Sequence, residues 1–216
     1  MHKGTNPRSG LSYTVESAGA PAPDDDAAFV SSAQKGDFEA FERLVVKHQK
    51  RMLNVAYRLT NDYDEACEVV QDAFVSAFKN IRTFRGDAKF TTWLTTITVN
   101  LSKNRLKQIK SRRGHEAFSL NELVETDDGR ITIDPPSKEP SILDRLEARD
   151  VRMWVRNCIK ALEPDFREVL VLRDLQGFSY EEIGSMLKVR EGTVKSRLFR
   201  ARETVKECLK RVMEEL

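Results

Sequence analysis

The sequence predicts an all-α protein made of two small helical domains joined by a flexible acidic linker. Apolar residues recur at steps of three and four through most of residues 38–101 and again through 142–205, the period of amphipathic helices. No window alternates apolar and polar residues convincingly, as a half-exposed strand would. At 216 residues, the chain is long enough for one large domain or two small ones with modest cores.

The first predicted domain covers residues 24–113 and follows a tail, residues 1–23, that is rich in Gly, Ser, Ala and Pro. The tail has no periodicity and is predicted to be disordered. A short helix is expected to end at Gly36, after which Asp37 can cap a long amphipathic helix. A third helix is expected to begin after Asn61.

The stretch FRGDAKFTTWLTTITVN, residues 84–100, can be interpreted as a strand or as a loop followed by a helix. Threonine costs a helix up to about 0.7 kcal/mol relative to alanine. Burying a large apolar side chain contributes about 1.5–3 kcal/mol, which outweighs that cost. The apolar residues here have helical spacing, so a loop and a helix are predicted. They are Phe90, Trp93, Leu94, Ile97 and Leu101.

The second predicted domain covers residues 142–216 and follows a linker, residues 114–141, that is acidic and has no consistent period. Helical periodicity resumes at the start of this domain, and Pro164 opens a further helix. Ser179 and Glu182 then form the S-x-x-E capping box that begins a helix–turn–helix. Short polar and basic residues at the start of its second helix suit reading of a DNA major groove.

Charge is strongly segregated along the chain. Residues 79–113 hold ten Lys or Arg against Asp87 alone, and residues 188–211 hold nine against three acids. Residues 61–72 carry five acids and no Lys or Arg. Two basic segments separated by an acidic linker indicate two contacts with a polyanion. Solvated helix faces are the alternative interpretation of either basic segment alone.

Several classes of protein are not supported by the sequence. No apolar run approaches the roughly 18 residues of a membrane span, and no secretory signal is evident. No P-loop, paired acids or metal-spaced cluster is present, so we expect no enzyme, cofactor or metal. Cys67, Cys158 and Cys208 lie in helical apolar patterns and are predicted to be buried reduced thiols of a cytoplasmic protein. A redox or zinc role is the alternative.

Two segments of the second domain, LEPDFREVLVLRDLQGFSYEEIGSML and GTVKSRLFRAR, carry a recognisable pattern. They resemble the C-terminal domain of bacterial RNA polymerase sigma factors of the extracytoplasmic-function group. The segments QKGDFEAFERLV, DEACEVVQDAFVSAFKNI and FRGDAKFTTWLTTITVN are similar to the sigma-2 domain of that family. The resemblance covers roughly residues 27–110 and 142–210. It implies a specificity factor that binds core RNA polymerase, recognises −10 and −35 promoter elements, helps open the DNA and initiates transcription.

The resemblance also implies roles for individual residues. The loop would hold a flipped base of the −10 element, and the helix after it would read or contact DNA, through Phe84, Arg85, Gly86, Asp87, Ala88, Thr96, Asn100, Lys103 and Lys107. Arg105 and Lys110 are further expected backbone contacts. The −35 element would be bound by Thr193, Lys195, Ser196, Arg197 and Arg200. Core polymerase would be bound by Glu65, Gln71, Asp72 and Phe74.

Some positions depart from the family pattern or leave alternatives open. Ala88 stands where serine is common, and Lys195 stands where arginine often does, without the bidentate fork. Thr92, Thr95 and Thr96 are expected to lie off the apolar stripe and face separated DNA strands. The linker resembles a segment that threads toward the polymerase active centre, and a simple tether is the alternative.

The implied partners are core RNA polymerase, through its clamp coiled coil and flap, promoter DNA and an anti-sigma factor. No direct insertion into a membrane is expected. The alternative function is a stand-alone helix–turn–helix regulator that binds duplex DNA as a dimer. That alternative gives no role to the first domain.

Overall fold

Two helical domains pack directly against each other in the computed structural model, which describes residues 26–116 and 142–214. The first contains α1 (Ala27–Gln34), α2 (Phe38–Thr60), α3 (Tyr63–Asn80), a 3-10 turn (Ile81–Thr83) and α4 (Phe90–Glu116). The second contains α5 (Ile142–Lys160), α6 (Pro164–Leu170), a π-helical turn (Val171–Leu175), α7 (Tyr180–Leu187) and α8 (Glu191–Glu214). No strand occurs in these two ranges, and the predicted all-α class is confirmed. The predicted tail and nearly all of the predicted linker lie outside the described residues.

Side-chain caps start three of the helices where the sequence predicts them. The Asp37 carboxylate accepts from the backbone N–H of Ala40 at 3.1 Å at the start of α2. Ser179 and Glu182 exchange hydrogen bonds of 3.1 and 2.8 Å with each other's backbone N–H, which completes the predicted capping box of α7. Asp62 caps α3 in the same way as Asp37 caps α2. Each such cap contributes typically about 1 kcal/mol.

Asp26 stands at the N-cap position of α1 but does not cap the helix with its side chain. Its side chain is buried and makes no capping hydrogen bond to α1. One carboxylate oxygen lies 2.7 Å from His48 Nε2 and the other lies 2.7 Å from Lys47 Nζ. Both partners belong to α2, so Asp26 ties the start of α1 to the middle of α2.

The threonines of α4 contribute to the core, contrary to the prediction that Thr92 and Thr95 face DNA. Thr95 and Thr98 are fully buried, and the Thr98 hydroxyl lies 3.2 Å from the sulfur of Met52 on α2. Each hydroxyl donates to the carbonyl four residues earlier, at 2.7 and 3.0 Å, so its polarity is satisfied within the helix. Thr92 is also buried and donates to Glu182 of α7 at 3.2 Å. The burial of these threonines was not predicted, because threonine counts as polar in a pattern of apolar and polar residues.

The cysteines also differ from the prediction of three buried reduced thiols. Cys158 of α5 and Cys208 of α8 form a disulfide, with their Cα atoms 5.8 Å apart. Cys67 is a free and exposed cysteine on the outer face of α3. The sequence could not reveal the pairing, because 50 residues separate the two cysteines and only the packing of α5 against α8 brings them together.

The docking of the two domains was not predicted. Val55, Leu59 and Val99 of the first domain belong to the same buried apolar cluster as the core of the second. Polar contacts surround this cluster. Arg51 donates to the side-chain and backbone oxygens of Gln176, both at 2.9 Å, and its guanidinium lies 5.2 Å from the ring centre of Phe178. In the sequence, an arginine that packs across a domain interface looks the same as one that faces solvent on an amphipathic helix.

Two further contacts of the interface involve a pair of neighbouring residues on α6. Lys103 of α4 pairs with the buried Glu168 at 3.0 Å. Burial raises the pKa of Glu168 and Lys103 acts in the opposite direction. Arg167 donates to the carbonyl of Leu59 at 3.1 Å. The two domains therefore share buried apolar surface, an ion pair and hydrogen bonds.

Candidate nucleic-acid interface

The loop between the 3-10 turn and α4 is anchored at its first residue and exposed beyond it. The Phe84 ring packs 4.9 Å from Trp93 and 6.1 Å from Phe90, measured between ring centroids. Gln34 of α1 donates to the Phe84 carbonyl at 2.7 Å. Residues 85–88 are exposed. Trp93 is partly buried against the core, in agreement with its prediction as a core residue.

Gly86 lies at the tip of this loop with a φ of +77°. Side chains other than glycine are strained in that region of φ, so the backbone conformation itself calls for glycine here. The predicted −10 residues Arg85, Gly86, Asp87 and Ala88 thus lie together on one solvent-facing loop, held by Phe84 at its base.

The structure divides the predicted −10 residues of α4 into two groups. Asn100 and Lys107 are exposed. Thr96 and Lys103 lie on the helix face that also carries Thr92 and contacts the second domain. The Lys103 side chain keeps 33% of its surface exposed and is already paired with Glu168. The docked second domain therefore covers part of the predicted −10 surface.

The predicted −35 residues come together on the first half of α8. The buried side chains of Val194 and Leu198 fix this helix against the core. Opposite them, a cleft of about 460 Å³ separates α8 from the residues that begin α6. Four of the five predicted −35 residues line it, namely Thr193, Ser196, Arg197 and Arg200. Lys195 lies beside the cleft, where its ammonium is 5.5 Å from the ring centre of Tyr180.

Two of the cations in the −35 group have acidic partners that the sequence analysis did not identify. Arg197 pairs with Asp165 of α6 at 2.5 Å, and Lys195 pairs with Glu191 one turn earlier at 2.6 Å. The bond to Glu191 raises the pKa of Lys195. The spacing of Lys195 and Glu191 on one helix would have been a usable signal. Asp165 meets Arg197 only through the packing of α6 on α8.

Replacing Asp165 with Asn is expected to strengthen binding of duplex DNA roughly two- to fivefold at low salt. The change releases Arg197 and removes a negative charge beside the cleft, and exposed ion pairs of this kind contribute up to about 1 kcal/mol. Fluorescence anisotropy with the full chain, over a series of salt concentrations, measures the effect. The matched control is Asp64→Asn, the same charge change on an exposed residue of α3. An equal gain in both variants would show that net charge alone is responsible.

The residues predicted to bind core polymerase are not equivalent in the structure. Gln71 and Asp72 are exposed on α3. Phe74 is buried in the core of the first domain, so it offers little surface to a partner. Glu65 is bonded to Arg105 of α4, and the bond raises the pKa of Arg105.

Arg105 also bonds to Glu68, the next acid along α3. It was expected to contact the DNA backbone, yet its guanidinium is engaged by two carboxylates in this structure. The acidic face of α3 and the basic end of α4 are thus connected by one arginine.

Within residues 26–116 and 142–214, no three His, Cys, Asp or Glu side chains lie close enough together to hold a metal ion. No helix in these ranges is both long and apolar enough to cross a bilayer.

Comparison with known proteins places both domains in recognised families. The family model described as Sigma-70 region 2 matches residues 44–113, and the model described as Sigma-70, region 4 matches residues 152–205. The chain is 37% identical over 192 residues to the RNA polymerase sigma-H factor of Pseudomonas aeruginosa, covering 88% of this chain and 96% of the relative. It is 36% identical over 180 residues to the ECF RNA polymerase sigma-E factor of Escherichia coli K12, covering 83% and 92%.

A solved structure supports the same assignment. The chain is similar to the sigma factor RpoE in its co-crystal structure with the anti-sigma factor NepR from Bartonella quintana. The TM-score is 0.58 with 25% sequence identity, and the match covers 79% of this chain and 96% of that one.

Proposed function

Because the chain belongs to the extracytoplasmic-function group of RNA polymerase sigma factors, we propose that its first domain recognises the −10 element of a promoter and its second the −35 element. A sigma factor binds core RNA polymerase and directs it to promoter DNA, where transcription begins. This function accounts for both domains, whereas a stand-alone regulator leaves the first without a role. The observation that carries the proposal is the exposed polar and basic face of α8 around its 460 Å³ cleft.

For the −35 element, we propose that Lys195, Ser196 and Arg200 contact base edges and that Thr193 and Arg197 contact phosphates. Exposed donors on the first half of α8 support this division, since a helix entering the major groove presents that half to the bases. Phosphate contacts position the helix, and base contacts supply specificity. The pair between Arg197 and Asp165 would open when Arg197 meets phosphate.

For the −10 element, we propose that the loop at residues 84–88 receives a base flipped out of the separated strand. The contacts of Phe84 with Gln34 and Trp93 support this. They fix the start of the loop, so that residues 85–88 remain exposed and can form the wall of a pocket. Asn100 and Lys107, both exposed on α4, would then read and hold the same strand.

For core RNA polymerase, we propose that Gln71 and Asp72 on the exposed face of α3 contact the clamp coiled coil, with Glu65 joining them. The acidic character of residues 61–72 supports an electrostatic contact. An anti-sigma factor is a further proposed partner, in keeping with the complex of the structural neighbour. We propose that the protein acts in the cytoplasm, without a cofactor and without catalysis of its own.

We also infer that the two domains separate when the protein binds a promoter. Elements named −10 and −35 are about 25 base pairs apart, or roughly 85 Å at about 3.4 Å per base pair. In the docked structure α4 and α7 touch, with Thr92 bonded to Glu182 at 3.2 Å. Ala88 of the proposed −10 loop lies four residues before Thr92, and Thr193 of the proposed −35 group lies eleven residues after Glu182. At no more than about 3.5 Å per residue, these segments and the two bonded side chains span less than about 65 Å. The docked form therefore cannot reach both elements.

Promoter-specific transcription with core RNA polymerase tests the proposed function. Arg200→Ala is expected to lower discrimination between a matched and a mutated −35 element by about 1–3 kcal/mol, or roughly 5- to 150-fold. Asn100→Ala is expected to act in the same way on the −10 element only. Run-off transcription from promoters altered in one element at a time measures both effects.

The control for these two variants is Arg211→Ala, which removes an exposed arginine from the other end of α8. Its transcription from every promoter should remain close to that of the unchanged protein. Equal loss on all sequences from Arg200→Ala and Asn100→Ala would contradict base reading. Failure of the unchanged chain to give promoter-specific transcripts with core polymerase would contradict the proposed function.

A further inference from the structure

We propose that Cys158 and Cys208 form a reversible thiol–disulfide site, and that its reduction releases the second half of α8 from α5. The bond joins two helices of the second domain, and Cys208 lies eight residues beyond Arg200, the last of the predicted DNA-reading residues on α8. The chemical class of its reactants is dithiols in one direction and disulfides in the other. The inference uses the proposed function only in taking the protein to act beside DNA in a reducing cytoplasm.

The two sulfur-bearing residues differ in their access to solvent. Cys158 is buried, with 1% of its surface exposed, whereas Cys208 is partly exposed. An incoming thiolate can therefore reach Cys208 while Cys158 is shielded. Partly exposed disulfides are the ones that exchange most readily with external thiols. In a reducing compartment, disulfides that do form are usually transient or redox-sensing.

The disulfide is a covalent link between the second half of α8 and α5, in a part of the helix where buried side chains are few. The stripe of fully buried residues on this helix ends at Ala201. Beyond it, Val205 and Leu209 are only partly buried, and Met213 is 69% exposed. One exposed pair, Arg202 with Asp174, holds the start of this half to the π-helical turn.

Noncovalent packing between α5 and this half of α8 is incomplete. A groove of about 620 Å³ runs along the two helices, lined by Val155 and Ile159 on one side and by Val205 and Leu209 on the other. Val155 and Val205 each lie three residues before a bonded cysteine. Ile159 and Leu209 each lie one residue after it. The disulfide thus joins the two walls of the groove at one point. Few buried contacts remain to hold the two helices together there once the bond is reduced.

Reduction of the disulfide proceeds in two steps. A thiolate of the dithiol attacks the sulfur of Cys208, which breaks the disulfide, forms a mixed disulfide and leaves Cys158 as a thiolate that takes up a proton. The second thiol of the reductant then attacks the reductant's first sulfur in the mixed disulfide. This releases Cys208 as a thiol. Two electrons and two protons pass from the dithiol to the protein, and the reductant becomes a cyclic disulfide. A disulfide oxidant reverses these steps.

The test uses the full chain with Cys67→Ser, which removes the remaining thiol and prevents its exchange with the pair. The protein is equilibrated in mixtures of reduced and oxidised dithiothreitol, then alkylated and weighed by mass spectrometry. We expect both thiols to appear and disappear together, reversibly and without denaturant. A bond that persists until the protein is unfolded, or thiols that do not reoxidise, would overturn the proposal.

Hydrogen exchange on the same samples tests the consequence for α8. Reduction is expected to speed amide exchange about tenfold in residues 202–214 and in the facing part of α5, and to leave residues 193–201 unchanged. Unchanged exchange in residues 202–214, or equally faster exchange throughout the domain, would overturn the proposed local release.

The matched variant carries Cys158→Ser and Cys208→Ser together with Cys67→Ser. Its amide hydrogens should exchange as fast as those of the reduced protein, and dithiothreitol should not change these rates. If it does not fold, the reduced Cys67→Ser protein supplies the same comparison. Neither readout contains DNA or polymerase, so failure of this proposal and failure of the proposed function would be seen in separate experiments.

Discussion

Replacing Arg167 with Met is expected to destabilise the second domain by about 3–5 kcal/mol. Arg167 is buried, and its guanidinium donates to the carbonyls of Lys160 at 2.6 Å and Leu162 at 2.7 Å, at the junction of α5 and α6. It also donates to Leu59 across the domain interface at 3.1 Å. One cation therefore satisfies three carbonyls at a point where α2, α5 and α6 meet.

The size of this effect follows from opposing contributions. Each buried carbonyl left without a donor costs about 1–3 kcal/mol. Removing the guanidinium relieves its own desolvation, which is large enough to lower the pKa of Arg167. It also removes Nε, which is buried without a hydrogen-bond partner in the described part of the chain. The loss of the donors dominates because methionine fills the volume but can supply none of them.

Urea unfolding, followed by circular dichroism, measures the loss in Arg167→Met. Arg167→Lys should recover less than half of it, since an ammonium cannot reproduce the planar fork that reaches separate carbonyls. Arg190→Ala, which removes an exposed arginine of the same domain, should stay within about 0.5 kcal/mol of the unchanged protein. Similar stability of Arg167→Met and Arg190→Ala would contradict the structural role given to Arg167.

Replacing Arg51 with Ala is expected to shift the equilibrium between docked and separated domains about 30-fold toward separation. The change removes two hydrogen bonds to Gln176 and the stacking on Phe178. Charge-assisted hydrogen bonds and such a cation–π contact together contribute on the order of 2 kcal/mol at a partly buried site. Arg51 lies outside every predicted DNA-binding set, so its loss leaves the DNA-binding residues intact.

The readout is the affinity of the full chain for single-stranded DNA that carries the −10 element. When the binding-competent form is scarce, a shift in its population changes apparent affinity by the same factor, here up to about 30-fold. Small-angle scattering should report a larger radius of gyration in Arg51→Ala. Lys50→Ala, which removes the neighbouring exposed cation, is the matched control. Equal affinity and equal radius in the two variants would show that docking does not limit DNA binding.

Local features of the fold could be predicted because their causes lie within a few residues. The capping box of Ser179 and Glu182 requires only that two side chains reach each other's backbone across one turn. The helix after residues 84–88 was predicted because Phe90, Trp93 and Leu94 have helical spacing. These inferences depended on neighbours in sequence.

Features that depend on neighbours in space were missed. The buried threonines Thr95 and Thr98 were treated as polar, because nothing in the pattern shows that each hydroxyl bonds to its own helix. The Cys158–Cys208 bond and the Arg51 contact each join residues that are far apart in the chain. The predicted site residues on α8 do lie together, whereas Lys103 and Phe74 proved to be engaged in packing.

The bonds from Arg105 to Glu65 and Glu68 have a thermodynamic consequence. The carboxylate proposed to bind polymerase and a guanidinium beside the proposed DNA contacts neutralise each other in the free protein. A partner that binds Glu65 breaks the ion pair between Glu65 and Arg105. Arg105 can then bind a DNA phosphate more readily. Linkage requires the converse with the same factor, so DNA that captures Arg105 raises the affinity of Glu65 for polymerase. The two ion pairs of Arg105 would therefore make the two binding events mutually reinforcing.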